Sequence, residues 1–131
     1  MSGLLLDTHV IVWLASSFHR VPVRVRNSLE AADDLWVSPV SSFEIAQKVR
    51  LGKLPGAEGI LARWDELLDE LMATETPLTH REMAKAGSLL WEHRDPFDRM
   101  LVATAQLQGM QIVTKDAAIR SFSEVSCVDW A

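Results

Sequence analysis

The sequence predicts a single α/β domain, a mostly parallel β-sheet with helices on both faces. The chain has 131 residues, of which 48% are hydrophobic; this is enough apolar material for one core and too little for two. Short apolar runs alternate with longer stretches of helical spacing, which is typical of strands joined by crossover helices. We find no internal repeat and no low-complexity segment, so residues 1–131 are expected to form one domain.

Two of the predicted strands lie in the first third of the chain. Gly3–Leu6 is a short apolar run typical of a buried strand, and Leu35–Val37 is a second one. Between them, the apolar spacing predicts helices over His9–Ser16 and Val23–Ala32. Pro22 suits the first turn of the second helix, because a proline there gives up no hydrogen bond.

A third predicted helix follows the second strand and carries Glu44. Ser41 or Ser42 is expected to cap its N-terminus, because a serine hydroxyl can accept a bond from a free backbone N–H. The helix is expected to run toward Leu51 and to end at Gly52.

A continuous apolar stripe follows the turn Leu54-Pro55-Gly56. Its members recur at helical spacing: Ile60, Leu61, Trp64, Leu67, Leu68, Leu71 and Met72. Such a stripe predicts a helix that packs on the core.

The rest of the chain repeats the alternation of strands and helices. The predicted strands are Thr76–Leu78, Gln111–Thr114 and Val125–Val128. The predicted helices run from Thr79 or His80 to Trp91, from Asp95 to Gln108 with Gly109 ending it, and from Ala117 to Phe122.

Charge and cysteine content restrict the function. A net charge of −5 argues against a wide basic face for nucleic acid, yet permits an enzyme that holds phosphate through metal ions.

No segment is long enough to span a bilayer. Asp7 ends an N-terminal apolar run that no basic region precedes, so we expect neither a signal peptide nor membrane association. Cys127 is the one cysteine, which suits the reducing cytoplasm. The four histidines show no paired spacing for zinc.

Four acids gather at one predicted edge of the sheet. Asp7 follows the first strand and Asp116 follows the strand that ends at Thr114, while Glu44 and Asp98 begin helices expected to return to that edge. Clustered carboxylates repel one another unless protons or cations neutralise them. Hard divalent ions prefer such oxygens, and they can orient a water for attack on a phosphodiester.

Each acid also has a structural interpretation. Asp95 followed by proline is typical of a helix N-cap, and Asp98 then lies where an acid favours the helix dipole. Asp7 and Asp116 can cap the helices that follow them, and Glu44 can be a solvated helix residue. Capping does not explain why two acids follow strands while two more begin helices returning to the same edge.

Four motifs together resemble those of VapC-type toxins of the PIN-domain ribonuclease family. Their order and spacing and the chain length agree with that family, so the resemblance covers nearly the whole sequence. The motifs are Leu4-Leu5-Leu6-Asp7-Thr8-His9-Val10, Ser41-Ser42-Phe43-Glu44-Ile45-Ala46, Asp95-Pro96-Phe97-Asp98-Arg99-Met100-Leu101-Val102-Ala103 and Val113-Thr114-Lys115-Asp116.

The resemblance implies a five-stranded parallel sheet with the acids in one pocket that binds Mg²⁺ or Mn²⁺. Asp7 and Asp98 would be the principal metal ligands, and Glu44 and Asp116 would complete the site. Thr114 would form a hydrogen bond within it. Asp95 is expected to act as a cap, while Arg99 and Lys115 adjoin proposed ligands and are expected to contact phosphate.

The resemblance also implies activity and partners. Members of the family hydrolyse RNA, and a cognate antitoxin silences them by filling a groove near the site. We therefore expect a metal-dependent ribonuclease toxin that forms a homodimer, with part of the apolar stripe at Ile60–Met72 exposed in the antitoxin groove.

Three alternatives compete with this interpretation. A receiver domain needs an acidic pair after the first strand, where this chain has Asp7 alone. A phosphatase of the haloacid dehalogenase type needs a second aspartate where His9 stands. A catalytically silent PIN-like module that binds protein or RNA is the third, and the complete set of acids argues against it.

Overall fold

The computed structural model describes residues 3–130 and contains a parallel sheet of four strands. The strands are β1 (Leu4–Leu6), β2 (Leu35–Val37), β3 (Ala73–Glu75) and β4 (Gln111–Val113). Their order across the sheet is β3-β2-β1-β4, so the chain moves outward from β1 in one direction and then returns to add β4 on the other side. A crevice is expected where the direction reverses, beyond the carboxyl ends of β1 and β4.

Between and after these strands, residues 3–130 form seven α-helices and two 3₁₀ turns, at Phe18–Arg20 and Leu61–Arg63. The helices are α1 (Thr8–Ser16), α2 (Val23–Ala31), α3 (Pro39–Arg50), α4 (Trp64–Leu71), α5 (His80–Ser88), α6 (Pro96–Gln108) and α7 (Ala117–Arg120). None of the helices in this range is both long and apolar enough to cross a lipid bilayer.

The sheet is covered on both faces, as the sequence predicts. Leu4 and Leu6 belong to a core built with α1, α2 and α4, whereas Leu5 packs with residues of α6 and α7 on the opposite face. The alternation follows from the strand period of two. Val113 and Ile112 of β4 divide in the same way, so β1 and β4 contribute buried residues to both faces of the sheet.

The predicted fifth strand, Val125–Val128, is wrong. Only one bridge forms there, between Ile112 and Cys127. The Val125 N–H donates to the carbonyl of Phe122 at 3.3 Å, so Val125 belongs to a turn and not to a strand. Two backbone bonds then join Ile112 to Ser126 and Val128, too few for a strand.

The third strand begins three residues earlier than predicted. Met72 adopts a left-handed conformation with φ of 55° and ends α4, so the chain enters β3 at once. The Thr76 N–H still donates to the Val37 carbonyl at 2.8 Å. Pro77 has no N–H to donate, so the pairing ends there. The pairing therefore stops within Thr76–Leu78, the range in which the sequence predicted the strand.

The N-terminus of α3 is set by a different serine from those predicted. Ser38 is the cap, and its hydroxyl accepts from the Val40 N–H at 3.0 Å, with Pro39 in the first turn. Ser41 lies inside the helix, fully buried, and its hydroxyl bonds with that of Thr8 at 2.9 Å. This contact joins the starts of α1 and α3.

The helix that carries Asp98 follows its prediction closely. Asp95 caps α6, accepting from the N–H groups of Phe97 at 2.9 Å and Asp98 at 3.3 Å. Gly109 ends it in a left-handed conformation with φ of 69°. The helices α5 and α7 end earlier than predicted, at Ser88 and Arg120 instead of Trp91 and Phe122.

Candidate metal-binding active site

The register of β1 and β4 brings Asp7 beside Thr114. Leu6 pairs with Val113, so the next residue of each strand emerges at the same edge. The Thr114 hydroxyl donates to Oδ2 of Asp7 at 2.7 Å, while Oδ1 accepts from the Thr8 N–H at 2.7 Å. Both side chains are buried, so the carboxylate is held in a fixed orientation at the crevice.

Burial is the largest influence on the pKa of Asp7. Desolvation raises this pKa, the hydrogen bond from Thr114 opposes the rise, and the nearby charge of Glu44 adds to it. The net result is a raised pKa, because the hydrogen bonds to Asp7 do not fully offset the cost of burying its negative charge.

Glu44 reaches the same region from α3. It is 3% exposed, which rules out the solvated helix residue that its position also allowed. One of its oxygens, Oε2, pairs with the ammonium of Lys48 at 2.5 Å, whereas Oε1 is buried with no hydrogen-bond partner. A buried carboxylate oxygen without a partner is costly unless a cation or water satisfies it.

The Lys48 ammonium lies among the carboxylates. Burial by itself lowers the pKa of Lys48, but the hydrogen bond and charge of Glu44, together with Asp95 and Asp98, outweigh burial and raise it. Lys48 therefore remains positively charged and compensates part of the local negative charge.

Asp98 lies at the start of α6 and is 7% exposed. Its Oδ2 contacts Nε2 of His93 at 2.7 Å. Burial, with the charges of Asp7, Asp95 and Asp116 adding to it, raises the pKa of Asp98 to about 7 despite the His93 contact. Asp7 and Asp116 belong to other segments of the chain, so the fold brings their charges near Asp98.

This raised pKa predicts a pH dependence of stability in the absence of divalent ions. The folded state holds a proton on Asp98 that the unfolded chain releases near its ordinary value of 3.8, so this contribution is complete below that value. It is lost as the pH rises toward about 7. Relative to wild type, Asp98→Asn should therefore gain stability between about pH 4 and pH 7, the ordinary and the raised pKa of Asp98. Urea denaturation in a chelator checks this, and a difference that does not change with pH would contradict it.

Asp116 and Lys115 lie on the outer side of the site and are exposed. Asp116 caps α7 through the N–H groups of Ala118 and Ile119. With Asp7, His9 and Trp13 these residues line a cleft of about 320 Å³. The cleft gives Lys115 open access to a ligand near Asp7.

His93 is the residue of this site that sequence reasoning missed. The search for paired histidines gave none of the four a ligand role. The available signal was the spacing His93-x-Asp95-x-x-Asp98 at a helix start. One ring nitrogen of His93 and one carboxylate oxygen from each aspartate lie within 4.8 Å of one another.

Arg99 has a structural role in place of the expected phosphate contact. Its guanidinium donates to the carbonyls of Ala86, Leu89, Trp91 and His93 at 2.7 to 3.0 Å. These bonds occupy the side chain and hold the segment between α5 and α6, including the backbone of His93. They also satisfy the carbonyls that follow Ser88, where the predicted helix fails to continue.

We expect Arg99→Met to destabilise the fold by about 3 kcal/mol, because several partly buried carbonyls lose a charged donor. Arg99→Lys should recover part of the loss, since an ammonium cannot reproduce the planar set of donors. Urea denaturation measures both variants. A loss below about 0.5 kcal/mol for Arg99→Met, the range of ordinary surface substitutions, would refute this role.

The residues present fit a divalent cation. The unpartnered Oε1 of Glu44 and the raised pKa values of Asp7 and Asp98 are the properties of oxygen ligands that lack their ion. Asp7, Glu44 and Asp98 are buried, and Asp116 lies at the open side of the group.

Comparison with known proteins gives a consistent result. Residues 4–125 match the PIN domain family. The chain is 34% identical over 122 residues to Ribonuclease VapC22 of Mycobacterium tuberculosis, covering 92% of each protein. A similar fold occurs in the DNA-bound VapBC from Salmonella typhimurium, with a TM-score of 0.69 and 17% identity over 100% of both chains. FitAcB from Neisseria gonorrhoeae also has a similar fold, with a TM-score of 0.68 and 21% identity over 96% of each chain. The chain therefore belongs to the PIN domain family and is of the VapC type.

Proposed function

We propose that this chain is the toxin of a type II toxin–antitoxin pair and a Mg²⁺- or Mn²⁺-dependent ribonuclease that hydrolyses phosphodiester bonds. The observation that carries the proposal is the group of buried acids at the carboxyl edge of the sheet, with an unpartnered Glu44 oxygen among them. The relative named as a VapC ribonuclease supports the same activity. We also propose that the protein acts in the cytoplasm, where RNA substrates are present.

The acids divide the work in this proposal. Asp7 and Asp98 hold the ion, and Glu44 and Asp116 complete its surroundings. When bound, the ion supplies positive charge to the phosphodiester oxygens and lowers the pKa of the attacking water. Oε1 of Glu44, which no protein group occupies, is available to accept a hydrogen bond from that water.

Two neighbouring residues have supporting roles. Thr114 fixes the carboxylate of Asp7 through its 2.7 Å hydrogen bond. The Asp7 side chain therefore loses little conformational entropy when an ion binds. Lys115 borders the cleft beside Asp7 and contacts an RNA phosphate there. A single lysine of this kind positions the backbone without reading sequence.

A cognate antitoxin is the proposed protein partner, and the structure offers a groove for it. Two adjoining clefts of about 280 and 420 Å³ share Leu14, Glu70 and Leu71. Phe18 is 53% exposed and Met72 is 86% exposed; both line the second cleft. The stripe at Ile60–Met72 is thus part core and part open surface. Fold relatives solved as toxin–antitoxin complexes support this partner.

We further propose that residues 1–131 form a single domain and that the protein is a homodimer.

The proposed activity is tested with purified protein and a mixture of RNAs. Cleavage should stop in excess chelator and return when Mg²⁺ or Mn²⁺ is restored, because the ion supplies the charge on which the reaction depends. Full cleavage in excess chelator would refute the metal mechanism. If an ion binds and none of the RNAs is cleaved, that result would favour a binding module.

A further inference from the structure

A tryptophan of α1 forms one wall of the cleft beside the acids. Trp13 lines this cleft of about 320 Å³ together with Asp7, His9, Lys115 and Asp116. It is half-buried and packs against the core on the α1 side of the sheet, so its ring is supported from behind while part of it borders the cleft. The proposed ion site accounts for the two acids of the cleft but not for its aromatic wall.

The aromatic wall contains two rings that do not stack on each other. His9 and Trp13 lie one helical turn apart on α1, with ring centroids separated by 6.0 Å and planes tilted by 51°. Trp130 contacts Trp13 from the end of the chain, also at 6.0 Å. Aromatic side chains beside a phosphodiester site suit a nucleobase, because every base has a π-face that stacks on such rings.

Two cations lie at the same tryptophan. Cζ of Arg20 is 4.6 Å from the centroid of the Trp13 ring, and Nζ of Lys115 is 6.0 Å from it. Both cations belong to exposed residues, and neither forms an ion pair with an acid within residues 3–130. In a chain whose net charge is −5, two cations without acid partners at an aromatic wall favour a ligand that is both anionic and flat. A nucleotide has both properties.

We propose that this cleft binds one unpaired nucleobase of the RNA, which stacks on Trp13 while a neighbouring phosphate contacts Lys115. The inference rests on the proposed ribonuclease and deepens it by naming the residue that positions the substrate next to Asp7. A volume of about 320 Å³ is near the lower end of the range for ligand sites, roughly 300–1,000 Å³, which suits a single base. Bases within a duplex stack on one another and have no free face to offer.

A second aromatic pair near the acids provides the matched comparison. The rings of Phe43 and Phe97 are 5.7 Å apart, on the residues that precede Glu44 and Asp98, and Phe43 is 63% exposed. Within residues 3–130, neither ring has a cation over it. The wall at Trp13 therefore offers positive charge for a phosphate as well as a ring for the base, whereas the phenylalanine pair offers a ring alone.

The test measures RNA binding by the full chain carrying Asp98→Asn, so that the RNA remains intact. The probe is a fluorescein-labelled RNA of about ten adenine and cytosine nucleotides, used alone or annealed to its complement, with fluorescence anisotropy as the readout. Adding Trp13→Leu should weaken binding of the single strand about tenfold through loss of stacking, and Trp13→Phe should restore most of that affinity. Affinity for the duplex should change by less than about twofold. Phe43→Leu, the control, should leave single-strand binding unchanged.

Photocrosslinking decides the question even if Trp13→Leu folds poorly. The same strand with one 5-iodouracil, placed at each position in turn, should crosslink on irradiation to the aromatic side chain it contacts, and peptide mapping should locate the link at Trp13 or His9. A link at Phe43 or Phe97 instead would overturn the inference and leave the proposed ribonuclease untouched. Equal single-strand affinity with and without Trp13→Leu would overturn it too.

Failure of the proposed function itself would give a different result. If none of these chains binds RNA and the wild type cleaves none, RNA is not the substrate, and both proposals are refuted together.

Discussion

Asp98→Asn is expected to lower RNA cleavage by at least about a thousandfold, equivalent to ~4 kcal/mol of transition-state stabilisation. Asparagine keeps the size and much of the hydrogen bonding of the side chain but removes its charge. Because the pKa of Asp98 is raised to about 7 by burial and neighbouring charge, removing that charge favours folding at neutral pH. The loss of activity therefore cannot arise from unfolding, and circular dichroism with a urea titration verifies this.

The comparison with Asp95→Asn separates two adjacent acids. Asparagine caps helices about as well as aspartate, so α6 should remain intact in this variant. Asp98 is a proposed ligand of the ion, whereas Asp95 caps the helix that carries it, so cleavage by Asp95→Asn should fall by about tenfold only. Equal and complete loss in the two variants would contradict this division of roles. Unchanged cleavage in Asp98→Asn would contradict the entire site.

Divalent ions are expected to raise the melting temperature markedly. An ion that binds only the folded state at about a hundred times its Kd contributes roughly 2.7 kcal/mol, or ~10 °C for a domain of this size. The gain includes relief of repulsion between the buried Asp7 and the buried Glu44 and Asp98, whose charges act on one another. Scanning calorimetry with millimolar Mn²⁺ or Mg²⁺ and with chelator measures it.

Asp7→Asn is the matched variant for this measurement. Asparagine can still accept from the Thr114 hydroxyl, which bonds to Oδ2 of Asp7, so the local structure should survive. The ion-induced increase in melting temperature should shrink to less than half of the wild-type value. The same increase in wild type and variant would show that the ion binds elsewhere.

Position along the chain was enough to predict which strand ends meet beside Asp7. Asp7 and Thr114 follow paired parallel strands, and the parallel arrangement fixes which ends of those strands meet. Asp95 was predicted as the cap of α6 and is one. Such features depend on neighbours in sequence or on strand order, and both are visible in the residues themselves.

Other features could not be predicted from apolar spacing and charge alone. Met72 and Pro77 set the limits of β3 through a left-handed turn and a missing donor, which apolar patterning does not register. Arg99 was expected to contact phosphate, but its bonds to carbonyls near the end of α5 require the tertiary fold. His93 was missed for a related reason, because its partner is an aspartate and not a second histidine.

The most direct test of the account is a crystal structure grown with Mn²⁺, measured at the manganese absorption edge. We predict an anomalous peak between the carboxylates of Asp7 and Asp98, about 2.0 to 2.3 Å from their oxygens, with Glu44 beside it. The peak should be absent from crystals of Asp98→Asn grown under the same conditions. An open site without a peak at millimolar Mn²⁺, or a peak remote from Asp7 and Asp98, would contradict the proposal that these acids hold the catalytic ion.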